Sequence, residues 1–302
     1  MAEGRLRRFL ALAAPTTLLA AAQAAAQLVE PWLAARQGTP ALAGWAVVLP
    51  FALLLGQMSA GAMGGGVVLM AAVVMAGGAG FTPHLMTPLR GALFARILSV
   101  GLVACAMATI ANLATILATA RIAAHGPAVV AGYGISARME FLMIPLAFGL
   151  GSALTALVGR AVGAGDWAGA RRIAWTGGLL ALGVTGAVAL PVALFPAATA
   201  AAFTADPAVQ AVAAEALGII GWAMPGFGIG MALYFAAMGA GRMAWPVAAA
   251  LARIGLAVGG GWLLADVAGF GLTGQFVAVA LGITAYGAIC AAAVRPGVWS
   301  GR

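Results

Sequence analysis

Long apolar segments with few charged residues recur along the chain, and short connections between them hold most of the charged residues. Each segment is long enough to cross a hydrocarbon core of roughly 30 Å as an α-helix. The segments lack the ten-residue alternating pattern of a membrane β-barrel strand. We therefore predict an all-α, polytopic helical membrane protein of about eight transmembrane helices. The predicted spans are 9–30, 43–66, 93–120, 128–157, 172–197, 208–239, 244–264 and 272–294.

Composition supports this fold class. Of the 302 residues 64% are hydrophobic and 7% are charged, and the mean hydropathy is +1.08, so the chain lacks the polar surface of a soluble domain. All fifteen basic residues are arginines. They are spread among short connections rather than gathered on one face, which argues against a nucleic-acid partner and points to the lipid bilayer.

The connections also predict an orientation. Residues 41–81 carry no charge, and as one straight helix they would be about 60 Å long, so they form one span or two. A single crossing places most of the loop arginines on one side, which the positive-inside rule makes the cytoplasmic side. We therefore predict a multi-pass protein of the inner (plasma) membrane with cytoplasmic N- and C-termini. The arginines on that side are Arg5, Arg7, Arg8, Arg90, Arg96, Arg160, Arg171, Arg172, Arg242, Arg295 and Arg302.

An internal repeat is visible at the starts of two spans. Gly38, Ala43-Gly44 and Trp45 recur later in the chain as Gly126, Ala131-Gly132 and Tyr133. Repeats in the same orientation imply two related bundles, as in many secondary transporters. Chance similarity between glycine- and alanine-rich helices is the alternative explanation.

Four strings in the second part of the chain resemble multidrug and toxic compound extrusion (MATE) transporters. They are Ala131-Gly132-Tyr133-Gly134-Ile135, Ile144 to Gly151, Val158 to Gly165, and Ala240-Gly241-Arg242 to Trp245-Pro246. The match runs from about residue 90 to 295, and Ala14-Pro15, Glu30 and Leu42-Ala43-Gly44 resemble the opening of the family. The resemblance implies two six-helix lobes and the exchange of organic cations for H⁺ or Na⁺.

The chain departs from that family pattern because about four helices of the first lobe are missing. The resemblance implies that residues 41–81 join the start of the second helix to the end of the sixth. The expected organisation is a truncated first lobe of about two spans at 1–81, a cytoplasmic inter-lobe loop at 82–92 and a second lobe of about six spans at 93–302. The fold would then be an incomplete two-lobe bundle.

Two acidic residues inside predicted spans are candidates for ion coupling, because an intramembrane carboxylate is costly and is usually functional. Glu30 matches the first-helix acid to which the resemblance assigns cation coupling; the alternative is an interfacial residue solvated beside Pro31 and Trp32. Glu140 lies near the middle of its span, where Arg253 on another helix would pair with it. The alternative role of that pair is to fix helix packing.

Three further residues are candidates for the cavity or for partner contacts. Glu215 lies two turns inside its span and would line a cavity or reach the surface. Asn112 stands where other family members carry a second-lobe acid, so Na⁺ coupling is less favoured than H⁺. Tyr234, with neighbouring methionines and aromatic residues, would offer an adaptable surface to flat organic cations or would pack against lipid and helices.

Two functions are consistent with these residues. The first, which the resemblance implies, is a secondary transporter of the inner membrane that extrudes organic cations or drugs in exchange for a cation, with H⁺ preferred to Na⁺. The second is a transport-incompetent, internally deleted remnant that acts as a membrane-embedded structural or interaction protein, with a homo-oligomer as one way to replace the missing wall. An enzyme is not expected, because His84 and His125 lie in separate connections and no catalytic, metal or cofactor pattern is present.

Overall fold

The computed structural model describes residues 28–63 and 112–300, together with residues 22, 109 and 110. Within these residues the chain is helical and has no strand, which confirms the predicted all-α class. The predicted inter-lobe loop and most of the first and third spans lie outside the described residues. The helices are α1 (28–36), α2 (Thr39–Met63), α3 (Asn112–Ala123), α4 (Pro127–Gly163), α5 (Trp167–Leu194), α6 (Pro196–Phe203), α7 (Pro207–Ile220), α8 (Met224–Gly239), α9 (Ala244–Val267) and α10 (Gly271–Ala293).

Four of the described helices, α4, α5, α9 and α10, are long and apolar enough to cross a membrane. The predicted span at 208–239 is not one straight helix, because α7 and α8 meet at an angle of 54° and together form a fifth, broken span. Pro225 lies in the first turn of α8. A proline has no amide hydrogen and is tolerated at the start of a helix but not in its interior. The chain therefore bends between Ile220 and Met224 rather than continuing as one helix.

Helix α4 begins and ends at residues that favour these boundaries. Gly126 has a φ of 99°, and Pro127 fixes the first helical turn after it. The far end of α4 is the glycine-rich segment before Asp166, where Gly165 has a φ of 75°. The Asp166 carboxylate then accepts a hydrogen bond of 2.7 Å from the backbone N–H of Gly169 and caps α5. This glycine-rich segment is thus a helix end.

Helices α4 and α8 form the centre of the bundle. Helix α4 packs against α2, α5, α7 and α8, and α8 packs in addition against α5 and α10. Glycines permit these close approaches, since small residues let membrane helices bring their backbones together. A Cβ atom at Gly287 of α10 would press on the carbonyl oxygen of Gly226 and lie 3.0 Å from its carbonyl carbon. The contact between α8 and α10 is therefore made by backbone.

We expect Gly287→Ala to lower the free energy of unfolding by about 1–3 kcal/mol, because the added methyl group must push two helix backbones apart. Gly183→Ala is the matched control, since a Cβ at Gly183 meets no atom within 4 Å. Equilibrium unfolding of the purified protein in mixed micelles measures both changes. Equal stability of the two variants would show that the α8–α10 contact tolerates a methyl group.

The segment after α10 packs back onto the bundle. Arg171 donates from Nη1 to the carbonyl oxygen of Trp299 at 2.6 Å, and Arg242 donates from Nη2 to the carbonyl oxygen of Ser300 at 2.8 Å. The Trp299 side chain has no exposed surface. The start of α5 and the connection between α8 and α9 are thereby joined through the adjacent carbonyls of Trp299 and Ser300.

Candidate functional site

An ion pair joins α1 to α4. Arg138 donates from Nη2 to the Glu30 carboxylate at 2.8 Å. The Arg138 side chain is 1% exposed and the Glu30 side chain is 57% exposed, so the acid faces outward from a buried cation. The Arg138 guanidinium also lies 5.6 Å from the ring centroid of Trp45 on α2. The sequence singled out Glu30 but not its partner.

A second ion pair is fully inside the bundle. Arg253 of α9 donates from Nη2 to the carboxylate of Glu140 on α4, and both side chains are buried. The Arg253 guanidinium lies 4.9 Å from the ring centroid of Phe227 on α8. The pairing of Glu140 with Arg253 that the sequence suggested is therefore present. A void of about 10 Å³ borders this pair, with Thr115 and Tyr133 among its walls.

The two pairs point in different directions because of helix geometry. Residues 138 and 140 are about 200° apart around the axis of an α-helix. Arg138 consequently faces α1 and α2, whereas Glu140 faces α9. Helix α4 thus carries a cation on one side and an anion on the other at nearly the same depth.

The remaining candidates belong to other contacts. Glu215 is exposed on α7 and accepts a hydrogen bond from the Thr273 hydroxyl of α10. Asn112 is fully buried at the start of α3. Tyr234 of α8 is 9% exposed and packs edge-on against Phe235 at 5.1 Å between ring centroids. The three candidate carboxylates therefore lie in three separate contacts, and only Glu140 meets another candidate residue, Arg253.

Sequence reasoning did not select the residues around a cavity of about 240 Å³ between α3, α9 and α10. Arg121 donates from Nη2 to Asp266 at 2.5 Å and from Nε to Oε1 of Gln275 at 3.2 Å. Gln275 is 3% exposed, and its Nε2 donates to the Ala257 carbonyl at 2.9 Å. A neutral amide in an apolar segment is a weak sequence signal, although its burial requires polar partners.

A second polar link between the first part of the chain and the second part lies at the start of α2. The Thr39 hydroxyl donates to the Asp206 carboxylate, which also accepts from the backbone N–H of Ala208 at 2.9 Å. The Thr39 hydroxyl, followed by the backbone amides, holds the pKa of Asp206 below its usual value. Asp206 therefore caps α7 and binds the start of α2 as a carboxylate.

The MatE family model matches residues 102–263, which is more than half of the chain. The chain belongs to the MatE family. This membership confirms the predicted resemblance, and the matched residues lie within the predicted range of about 90–295. A comparison with curated proteins finds no match.

Solved structures of MatE-family transporters share the fold. An outward-facing multidrug resistance MATE transporter has 18% sequence identity and a TM-score of 0.67, with 84% of this chain and 61% of that chain covered. VcmN of Vibrio cholerae in its bent form has 19% sequence identity and a TM-score of 0.66, with 85% of this chain and 62% of that chain covered. ClbM in complex with Rb⁺ has 20% sequence identity and a TM-score of 0.64, with 69% of this chain and 49% of that chain covered.

The MatE chain described here spans about half to three-fifths of the length of these solved transporters. It is nevertheless a multi-pass helical membrane protein of their fold, with the match concentrated in its second part. The ion pairs of Arg138 with Glu30 and of Glu140 with Arg253 both use residues of α4, which lies within the matched region.

Proposed function

We propose that this MatE-family protein is a secondary transporter that exports organic cations or drugs in exchange for a cation, with H⁺ preferred to Na⁺. In this proposal it lies in the inner (plasma) membrane with both termini in the cytoplasm. The observation that carries the proposal is the contact between Glu30 and Arg138. Glu30 lies at the junction between the first part of the chain and α4, where its carboxylate would accept a proton or a cation.

Protonation of Glu30 would change how α1 is held. Ionised Glu30 attracts the Arg138 guanidinium and ties α1 to α4. A proton on Glu30 cancels that attraction, while Arg138 stays charged and has the face of Trp45 beside it as another partner. The proton thus favours a state in which α1 separates from α4, as alternating access requires.

An organic cation would compete with both the proton and Arg138 for the same carboxylate. Since one negative charge cannot balance all three, substrate binding favours ionised Glu30 and proton binding favours substrate release. The contacts described for Glu30 suit H⁺ better than Na⁺. A guanidinium offers donors and no oxygen ligand, whereas a hard metal cation requires several oxygens.

A transport-incompetent remnant is the second candidate function. The observation that favours it is the length of the chain, which covers only about half to three-fifths of the solved transporters. Such a protein would insert and fold but would not enclose a substrate path by itself. A homo-oligomer would be needed to complete the wall of the first lobe.

Uptake of ethidium into proteoliposomes under an imposed pH gradient separates the two candidates. We expect gradient-driven uptake by the wild-type protein, and we expect Glu30→Gln to reduce it to the level of empty liposomes because the proton acceptor is lost. Glu215→Gln is the control, since Glu215 is an exposed carboxylate bound only to Thr273 in the described contacts. Folded wild-type protein without uptake would support the remnant, and uptake retained by Glu30→Gln would remove Glu30 from coupling.

A further inference from the structure

The cavity between α3, α9 and α10 opens toward solvent. Its volume is about 240 Å³, and the ion pair at its mouth is partly exposed, with 30% of the Arg121 and 55% of the Asp266 side chain accessible. His125 at the end of α3 also lines it and is exposed. The mouth of this cavity is therefore polar and partly exposed.

Gln275 forms the inner wall of the cavity. Its side-chain oxygen accepts from Arg121 on the solvent side, and its amide nitrogen donates to the Ala257 carbonyl on the inner side. Ala257 lies in the π-helical turn Gly255–Gly260 of α9. Such turns are wider than α-helix, shift the backbone hydrogen bonds to the fifth residue, and are frequent at functional sites.

The void beside the buried ion pair lies directly behind this wall. Ala257, whose carbonyl binds Gln275, is also a wall of the void that Glu140 and Arg253 line. The void of about 10 Å³ has room for about one water molecule, and the Tyr133 hydroxyl, Thr115 and the Glu140 carboxylate supply polar partners. One amide side chain therefore separates solvent from a site where water would contact Glu140.

We infer that Glu140 is a second proton-binding site, reached from the His125 end of the bundle through a gate formed by Gln275. When the Gln275 amide leaves the Ala257 carbonyl, the cavity and the void become continuous. This inference rests on the proposed function in that it adds a proton site to a proton-coupled transporter, but its test measures proton and solvent access and needs no transport.

The proton transfer is balanced within the described residues. A hydronium ion in the cavity gives up one proton through the water in the void, an O–H bond forms at a Glu140 carboxylate oxygen, and water remains. Among the described residues, two groups interact electrostatically with Glu140: the charged Arg253 of α9 and the titratable Tyr133 of α4. Tyr286 of α10 interacts with Arg253. The Phe227 ring beside the Arg253 guanidinium offers that cation another partner when Glu140 is protonated.

Gly261 offers an independent way to move the gate. A Cβ atom at Gly261 would lie 2.7 Å from Nε2 of Gln275, so Gly261→Ala displaces the amide without removing it. A Cβ at Gly259, in the same helix, meets no atom within 4 Å. Gly261→Ala and Gly259→Ala are therefore a matched pair that differ in their effect on Gln275.

Infrared difference spectra of the full chain in nanodiscs, between neutral and acidic buffer, test the proton site. We expect the C=O stretching band of a protonated carboxyl group to appear on acidification, to persist in Glu215→Gln and to be lost in Glu140→Gln. In D₂O the band should shift on the order of five- to tenfold faster in Gln275→Ala and Gly261→Ala than in wild type and Gly259→Ala, as expected for loss of one hydrogen bond. A wild-type band that Glu140→Gln retains, or equal exchange rates in all four proteins, would overturn the inference.

Thiol labelling gives a second measure of solvent access. In a background with Cys105→Ala and Cys290→Ala, the variant Leu272→Cys on the cavity wall should react with a membrane-impermeant methanethiosulfonate in every protein. Thr115→Cys should react quickly only when it is combined with Gln275→Ala or Gly261→Ala, and Thr185→Cys, buried elsewhere on α5, should stay unreactive. If Thr115→Cys is labelled equally slowly with and without the Gln275 and Gly261 substitutions, the void stays closed, whatever the transport assay finds.

Discussion

Arg253→Met should lower the free energy of unfolding by about 3–5 kcal/mol, because it leaves the Glu140 carboxylate buried without its cation. Both side chains of the pair are almost inaccessible, at 6% and 3% exposure. Methionine keeps much of the volume and the flexibility of the arginine stem, so the loss reports on charge more than on packing. Equilibrium unfolding in mixed micelles, followed by circular dichroism, measures the change.

A double variant separates charge from packing. Arg253→Met combined with Glu140→Gln removes both charges, and we expect it to recover more than half of the lost stability, since a neutral pair avoids the cost of an unpaired buried ion. If the double variant is as unstable as Arg253→Met alone, the guanidinium stabilises the bundle through its contact with Phe227 and not through Glu140.

Trp299→Ala should cost about 3–5 kcal/mol, the range for removing a large buried aromatic side chain and leaving a cavity. Trp299 has no exposed surface, and its backbone carbonyl is held by Arg171 of α5. Truncating it would also loosen the contact of Arg242 with the next residue. The same unfolding measurement applies.

Trp262→Ala is the control for this effect. Trp262 is also a tryptophan of the second part of the chain, but it lies on the outside of α9 with 54% of its surface exposed. We expect little change from its truncation, because exposed substitutions usually change stability by less than about 0.5 kcal/mol. Similar losses of stability at both positions would mean that the contact of the segment after α10 does not depend on the burial of Trp299.

Much of the second part of the fold was predictable from local sequence. Gly126-Pro127 marks the start of α4, because these two residues impose the backbone geometry of that turn. Asp166 marks the start of α5, because its carboxylate caps an amide group of the first turn. The Glu140–Arg253 contact was predictable for a different reason. Two opposite charges at mid-membrane depth in one bundle are much less costly in free energy when they form an ion pair than when each is buried alone.

The other contacts depended on information that a nearly uniform apolar sequence does not carry. The rotation of α1 about its axis decides whether Glu30 faces lipid or Arg138, and apolar residues on every side leave that rotation undefined. The role of Gln275 depends on the π-helical turns of α9, which glycine-rich sequence permits but does not require. The bend before α8 was likewise hidden in a run that composition alone read as one span.

Arg138 and Glu140 lie on opposite sides of α4, so a rotation of this helix affects both of the ion pairs that they form. A turn of α4 about its long axis that swings Arg138 away from Glu30 carries Glu140 around by the same angle on the far side of the helix, and so strains its contact with Arg253. Helix α4 therefore connects the first part of the chain to α9, and a change in the contact of Arg138 with Glu30 would also change the contact of Glu140 with Arg253.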